Sequence, residues 1–330
     1  MLAHRSNIIV TGAAGFIASC LIEALNQRYP EHEIIAIDDF TLESKQANHQ
    51  SKLIKLRLDR AAFPEHTSID PEKVCVVFHL GARTDTTEKD WDIFEKLNLD
   101  YSKKVWQWCS RYNIPLIYAS SAATYGDGRL GYEDRHEIVK ELLPLNPYGV
   151  SKNDFDKWVL ANNTHPPHWY GLKFFNVYGP NEYHKGRMAS VVYHAFNQIR
   201  TTGKMQLFMS HRADIPHGHQ SRDFIYVKDV VNMCIYLFEQ LPTSGLYNIG
   251  TGKARSFLDL VRAVFDALEL EADINFIPTP LDIRDTYQYY TEANMNKLQK
   301  AGYEMANLYS LEEGIAEYVS HYLSQDNKIY

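Results

Sequence analysis

Residues 7–18 read Asn7-Ile8-Ile9-Val10-Thr11-Gly12-Ala13-Ala14-Gly15-Phe16-Ile17-Ala18. The β-branched run from Asn7 to Thr11 predicts a buried strand. Phe16 to Arg28 predicts a helix with Ile17, Leu21, Ala24 and Leu25 on one face. Gly12 and Gly15 stand at the turn between them. Glycine there lets backbone N–H groups approach an anion at the helix N-terminus, where the dipole favours negative charge. Small Ala18 lets the helix sit close to the strand. A dinucleotide pyrophosphate is the ligand that such a turn fits.

The same alternation continues outward. Strands are expected at 33–38, 55–58, 74–80, 115–120 and 170–175, and helices at 98–112 and 148–162. Continuous apolar strands separated by helices imply an α/β fold with a parallel sheet covered on both faces. The second half is less regular, with helices expected at 188–200 and 227–239 and a strand at 246–249. A second, smaller unit would be built from insertions and the tail.

Composition narrows the class. The 330 residues carry 34 Lys+Arg against 41 Asp+Glu, a net charge of −7, which argues against a nucleic-acid surface. Apolar runs stop well short of a membrane span, and the N-terminal one is too short for a signal-peptide core. Cys20, Cys75, Cys109 and Cys234 are scattered, so neither a disulfide framework nor a zinc site is suggested. A cytoplasmic location is expected.

Asp38 closes the second strand, where a carboxylate can bind both adenosine ribose hydroxyls and favour NAD. Lys45 follows and could neutralise a 2′-phosphate, so NADP stays open. Asn146-Pro-Tyr148-Gly-Val-Ser-Lys152 opens a helix, and its Tyr and Lys at i and i+4 share a face. A phenol near pKa 10 needs about 4 kcal/mol of differential stabilisation to ionise near pH 7. The Lys152 ammonium and a positive nicotinamide ring would supply it, making Tyr148 a general base. Upstream, Tyr118-Ala-Ser-Ser121-Ala-Ala-Thr-Tyr-Gly126 ends a strand with Ser121 placed to bond the same substrate hydroxyl.

With these residues the chain resembles the extended short-chain dehydrogenase/reductase family of nucleotide-sugar enzymes. Four ordered motifs carry the likeness: the glycine turn, Leu80-Gly81-Ala82, Ser121 with Tyr148 and Lys152, and Arg222-Asp-Phe-Ile-Tyr-Val-Lys-Asp229. The resemblance implies a Rossmann-type doubly wound parallel sheet with a smaller mixed α/β C-terminal substrate domain. The NAD(P)-binding unit would span 1–175 plus about 222–250, and the nucleotide-sugar unit about 176–221 and 251–330. One tightly held NADP or NAD per subunit is implied. Its expected contacts are Gly12, Gly15, Phe16, Ile17, Asp38, Asp39, Lys45, Leu80, Gly81, Ala82, Asn98, Tyr148, Lys152 and Val177. Asp59 is a further candidate near adenine. A homo-oligomer is also implied.

Phe174-Phe-Asn-Val-Tyr-Gly-Pro180 and His184-Lys-Gly-Arg-Met-Ala-Ser190 are similar to the branch of this family that inverts carbon 6 of an ADP-linked heptose for the lipopolysaccharide core. The resemblance makes Lys185 a second base. Inverting a carbinol through a ketone needs proton and hydride transfer for two opposite configurations, and two bases serve them. Asn176, Arg187, His194, Phe208, Ser210, Arg222 and Tyr287 are the implied substrate contacts, Arg222 suiting a diphosphate through its bidentate fork. The chain departs from the branch at Leu80 and Arg83, at Arg187 (usually a small hydroxyl residue) and over His211–Gln220, which is longer. His211, His217 and His219 lie there without a cysteine or carboxylate context and predict a histidine-rich loop rather than a metal site.

A nucleotide-sugar 4-epimerase would share Ser121, Tyr148 and Lys152 but would leave Lys185 unexplained. A 4,6-dehydratase needs an acid pair where Ala122 and Ala123 stand. A non-catalytic NAD(P) sensor would be expected to have lost Tyr148 or Lys152.

Overall fold

The run Asn7–Thr11 (β1) is buried at every position and lies inside a seven-stranded sheet, in a computed structural model that describes residues 5–66, 68–284 and 288–330. The strands that follow are β2 (Glu33–Asp38), β3 (Leu56–Asp59), β4 (Val74–His79), β5 (Leu116–Ser121) and β6 (Trp169–Phe174). Next come β7 (Asn176–Tyr178), β8 (Met205–Phe208), β9 (Ser221–Tyr226), β10 (Gly245–Ile249), β11 (Ala254–Ser256) and β12 (Ile274–Ile277). The large sheet has the order β10-β6-β5-β4-β1-β2-β3, and its pairs are parallel. This is the Rossmann-type sheet expected from the sequence.

Alternation within β1 shows why both faces are covered. Ile8 and Val10 enter one core cluster with Leu21 and Leu25 of the Phe16–Arg28 helix and Val230 and Cys234 of the Val227–Gln240 helix. Ile9 enters the opposite cluster, with Val105 and Cys109 of the Tyr101–Arg111 helix and Phe155 and Val159 of the Pro147–Ala161 helix. The edge strand β10 is closed to further pairing by side chains. Leu246 N–H donates to His136 Nε2 at 3.1 Å, Asn248 N–H to Asp134 Oδ2 at 2.9 Å, and Lys297 Nζ to the Leu246 carbonyl at 2.7 Å.

Strand order reverses beside β1, since the chain runs out through β2 and β3 and returns to β4 on its other side. Ligands of open α/β sheets bind in the crevice at the carboxyl ends of the strands at such a point. Gly12 and Gly81 meet there.

The second half holds more strand than the sequence predicts. β9 joins β7 and β11 in a three-stranded sheet, and β8 pairs with β12. These strands are short, and β8 and β12 are only partly buried, so little periodicity marks them. Two helices start elsewhere than expected. The segment expected from Asn98 is entered earlier, at Trp91, and passes through a π-helical stretch, Glu95–Asp100. The helix expected from Met188 begins at Val191, because the Ser190 hydroxyl caps the Tyr193 N–H. Among the described residues, no helix is long and apolar enough to cross a membrane.

Candidate active site

Gly12 leaves β1 at φ +70°, a conformation in which a Cβ would sit 2.6 Å from the Gly81 Cα. The two backbones can touch only because both residues are glycine. Gly15 precedes the first turn of the Phe16–Arg28 helix, whose N–H groups carry no side-chain cap among the described residues. These donors, aligned with the helix dipole, are the feature that a pyrophosphate needs.

At the end of β2 the Asp38 carboxylate is buried. Its Oδ2 accepts the Ala14 N–H at 2.9 Å, its Oδ1 accepts the Asp39 N–H at 2.7 Å, and Lys45 Nζ lies 3.6 Å away. Beside it Asp39 pairs with Arg60 at 3.6 Å. Tyr101 also lines this end, and its buried hydroxyl has no hydrogen-bond partner among the described residues. Neither Arg60 nor Tyr101 was marked in the sequence. Their only signal is position, just after a strand and within a helix. Asp59 is exposed and caps a turn through the Ala61 N–H at 2.8 Å.

Ser121 ends β5, and its hydroxyl accepts the Ala123 N–H at 3.1 Å. Asn146 caps the Pro147–Ala161 helix by accepting the Gly149 N–H at 2.8 Å, which aims Tyr148 and Lys152 at Ser121. The Ser121 hydroxyl acts to lower the pKa of the Tyr148 phenol, but burial outweighs it and holds the phenol above its ordinary value. Lys152 donates to the Ala119 carbonyl at 2.8 Å, and burial brings its pKa down to about 8 against the field of Asp156.

Beneath this pair lies a buried charge network. Asp156 accepts from Lys173 at 2.8 Å, Ser120 at 2.7 Å and Tyr118 at 3.0 Å, and Lys173 also donates to Thr124 at 2.7 Å. It ties β5, β6 and the Pro147–Ala161 helix together below the catalytic candidates.

One cavity of about 940 Å³ runs past these groups, near the upper end of the range for ligand sites. It brings together Gly12, Gly15, Phe16, Ile17, Asp38, Asp39, Lys45, Leu80, Gly81, Ala82, Ser121, Tyr148, Lys152, Asn176, Val177 and Lys185. Lys185 comes from the turn Tyr183–Met188, and its ammonium lies 5.7 Å from the centre of the Phe16 ring. Glu182 and His184 also line the cavity; the sequence singles out neither as a site residue, although His184 opens the His-Lys-Gly motif and Glu182 precedes it by two residues.

Other candidates lie elsewhere. Asn98 is buried away from the cavity. It accepts the Arg83 N–H at 2.8 Å and donates to the Arg83 carbonyl at 3.0 Å and to Ser151 at 2.9 Å, which makes it a brace for the 83 loop. Arg187 and His194 are exposed and outside the lining. Phe208, Ser210 and Arg222 also stand outside it, in an adjoining cluster. Gln220 donates to the Phe208 carbonyl at 3.3 Å, and Tyr289 meets Ser210 at 3.4 Å. The Arg222 guanidinium bonds the Ser221 and Gln288 carbonyls and lies 5.5 Å from the ring of Phe257, which does line the cavity. Tyr287 lies outside the described residues. In the histidine-rich segment, His217 Nδ1 accepts the Ser210 N–H at 3.0 Å, and the His211 ring packs on Tyr289 at 5.1 Å.

Comparison with known proteins places this geometry. The family model described as the NAD dependent epimerase/dehydratase family matches residues 8–250. A protein of Fusobacterium nucleatum subsp. nucleatum, named ADP-L-glycero-D-manno-heptose-6-epimerase, is 43% identical over 97% of this chain and 99% of its own. One of Nitratidesulfovibrio vulgaris with the same name is 43% identical over 96% of this chain and 98% of its own. Among solved structures, the Helicobacter pylori ADP-L-glycero-D-manno-heptose-6-epimerase aligns with a TM-score of 0.79 at 27% identity, covering 97% of each chain.

Proposed function

Because the chain belongs to the NAD dependent epimerase/dehydratase family, we propose that it is an isomerase converting ADP-D-glycero-D-manno-heptose to ADP-L-glycero-D-manno-heptose by inverting carbon 6. The observation that carries the reading is that Tyr148 and Lys185, from different elements, line one cavity together with the glycine turn. The names of the relatives supply the sugar.

The residues present fit a nicotinamide dinucleotide. The Gly12–Gly81 contact leaves a floor that a Cβ would fill, and the uncapped helix at Phe16 offers N–H groups to a pyrophosphate. Asp38, Asp39 and Lys45 would hold the adenosine ribose, and Tyr148 and Lys152 the nicotinamide ribose. Bound there, the cofactor supplies a hydride acceptor and donor, so the reaction has no net redox change. The chain's own groups handle the proton. Tyr148, supported by Ser121, takes the carbon-6 hydroxyl proton of one epimer as the carbinol becomes a ketone. Lys152 steadies the phenolate once the positive nicotinamide is beside it. The ketone, held through its diphosphate, turns to present its other face, and Lys185 donates the proton to the new hydroxyl. In this reading Arg222 and Asn176 contact the substrate, as part of a nucleotide-sugar unit built from about 176–221 and 251–330. Homo-oligomerisation and a cytoplasmic location belong to the same reading through the resemblance.

Proton NMR of ADP-D-glycero-D-manno-heptose with the purified protein, without added reductant, tests the proposal. Appearance of the L-glycero epimer supports it. No conversion by cofactor-loaded protein refutes the substrate assignment and leaves epimerisation of another nucleotide sugar as the reading.

A further inference from the structure

One buried acid lines the cavity and has no part in the scheme above. Glu182 is 1% exposed and stands three residues before Lys185. Its Oε1 accepts from Ser190 Oγ at 2.7 Å, from the Tyr318 hydroxyl at 3.1 Å and from the Gly179 N–H at 3.3 Å, while Oε2 accepts the Ser190 N–H. Two of these partners are N–H groups that can only donate, and the two hydroxyls can turn to donate as well, so the shell suits an ionised carboxylate. Burial raises the acid's pKa, while the Ser190 and Gly179 bonds and the Lys185 charge work against that rise.

The position of these bonds matters as much as their number. Glu182 and Ser190 flank the turn Tyr183–Met188 that carries Lys185, and Gly186 reverses the chain inside it at φ +53°. The carboxylate thus closes the turn on itself and onto the N-terminus of the Val191–Thr202 helix, where an anion is favoured. Tyr318 ties the same oxygen to the Leu311–His321 helix, 136 residues further along the chain.

We propose that Glu182 is the positioning residue for Lys185, stapling the two ends of its turn and supplying the negative charge that faces its ammonium. The proposal rests on the reading of Lys185 as a proton donor and acceptor. The surroundings of Lys185 agree with it. Burial pulls its pKa below the ordinary lysine value, Glu182 opposes that fall, and Lys45 adds to it. His184, held neutral by burial with a pKa down to about 4, and the Phe16 ring also stand near Lys185. Glu182 is thus the anion acting on a lysine that is otherwise desolvated and beside another cation.

Competitive acetylation of the cofactor-loaded protein across pH, read by peptide mass spectrometry, follows the titration of Lys185 without turnover. In Glu182→Gln the labelling midpoint moves to lower pH, and kcat falls on the order of tenfold or more with KM unchanged. Ser190→Ala and Tyr318→Phe keep the charge and each remove one donor, so kcat falls and the midpoint stays. An unmoved midpoint or a wild-type kcat in folded Glu182→Gln overturns the proposal. If that variant does not fold, wild-type kcat in both Ser190→Ala and Tyr318→Phe overturns it instead. Lys185→Met separates the two premises. Full epimerisation by that variant removes the two-base reading, while the Lys185 midpoint in Glu182→Gln still reports on Glu182.

Discussion

Lys173→Met is the perturbation whose size follows most directly from the structure. The Lys173 ammonium and the Asp156 carboxylate pair at 2.8 Å with side-chain exposures of 1% and 0%. Removing the lysine leaves Asp156, among the described residues, with the Tyr118 and Ser120 hydroxyls as its donors, two neutral groups for a buried anion. Breaking a buried pair from one side costs about 3–5 kcal/mol, because the remaining charge stays desolvated. The lost Thr124 bond lies within that range. Urea unfolding followed by tryptophan fluorescence measures the loss, since Trp106 packs against Tyr118 at 6.4 Å. Because the network ties β5 and β6 to the helix bearing Tyr148 and Lys152, kcat falls with stability. Asp156→Asn combined with Lys173→Met, which removes both charges, should lose less than the sum of the two single changes. A loss below about 1 kcal/mol for Lys173→Met, the size of a surface pair, would refute the reasoning.

Further outcomes follow from the site. Tyr148→Phe removes only the ionisable oxygen, so turnover should disappear while nicotinamide cofactor binding, measured by calorimetry, persists; activity above a hundredth of wild type would rule Tyr148 out as the essential base. Gly12→Ala meets the Gly81 Cα at 2.6 Å in a left-handed conformation, so the protein should lose about 1–2 kcal/mol of stability and bind cofactor weakly by the same calorimetry. His79 is buried between Thr11 and Ser102, and burial, aided by Lys152, takes its pKa down to about 3. The folded value lies below the unfolded one of about 6.5, so only the unfolded chain binds a proton between them. The His79 contribution is therefore intact above pH about 6.5 and falls by about 1.4 kcal/mol per pH unit as pH drops toward 3. Urea midpoints at pH 7 and pH 5 should show this slope, and His79→Gln should flatten it.

Much of the sheet could be read from the chain because its strands are long apolar runs with period-two packing on both sides. β1, β2 and β4 are buried along nearly their whole length, and a pattern of that kind survives without knowledge of partners. β8, β11 and β12 carry half-exposed residues and exist through pairing with strands distant in sequence, which local periodicity does not encode. The catalytic candidates follow the same division. Tyr148 and Lys152 are joined by helical spacing, so the sequence places them together. That Lys152 would bond the Ala119 carbonyl, or that Tyr318 would reach Glu182, depends on tertiary contacts across 33 and 136 residues. His194 and Arg187 show the same division: the resemblance names both as substrate contacts, while the structure places both at the exposed surface outside the cavity lining, a placement set by tertiary contacts.

The most direct test follows substrate deuterated at carbon 6. If oxidation and reduction occur at that carbon with the hydride held in the site, ADP-L-glycero-D-manno-heptose forms with the deuterium retained at carbon 6 in ordinary water. Inverted product that has exchanged its deuterium for solvent hydrogen would contradict the account, since it would require proton abstraction from carbon in place of hydride transfer.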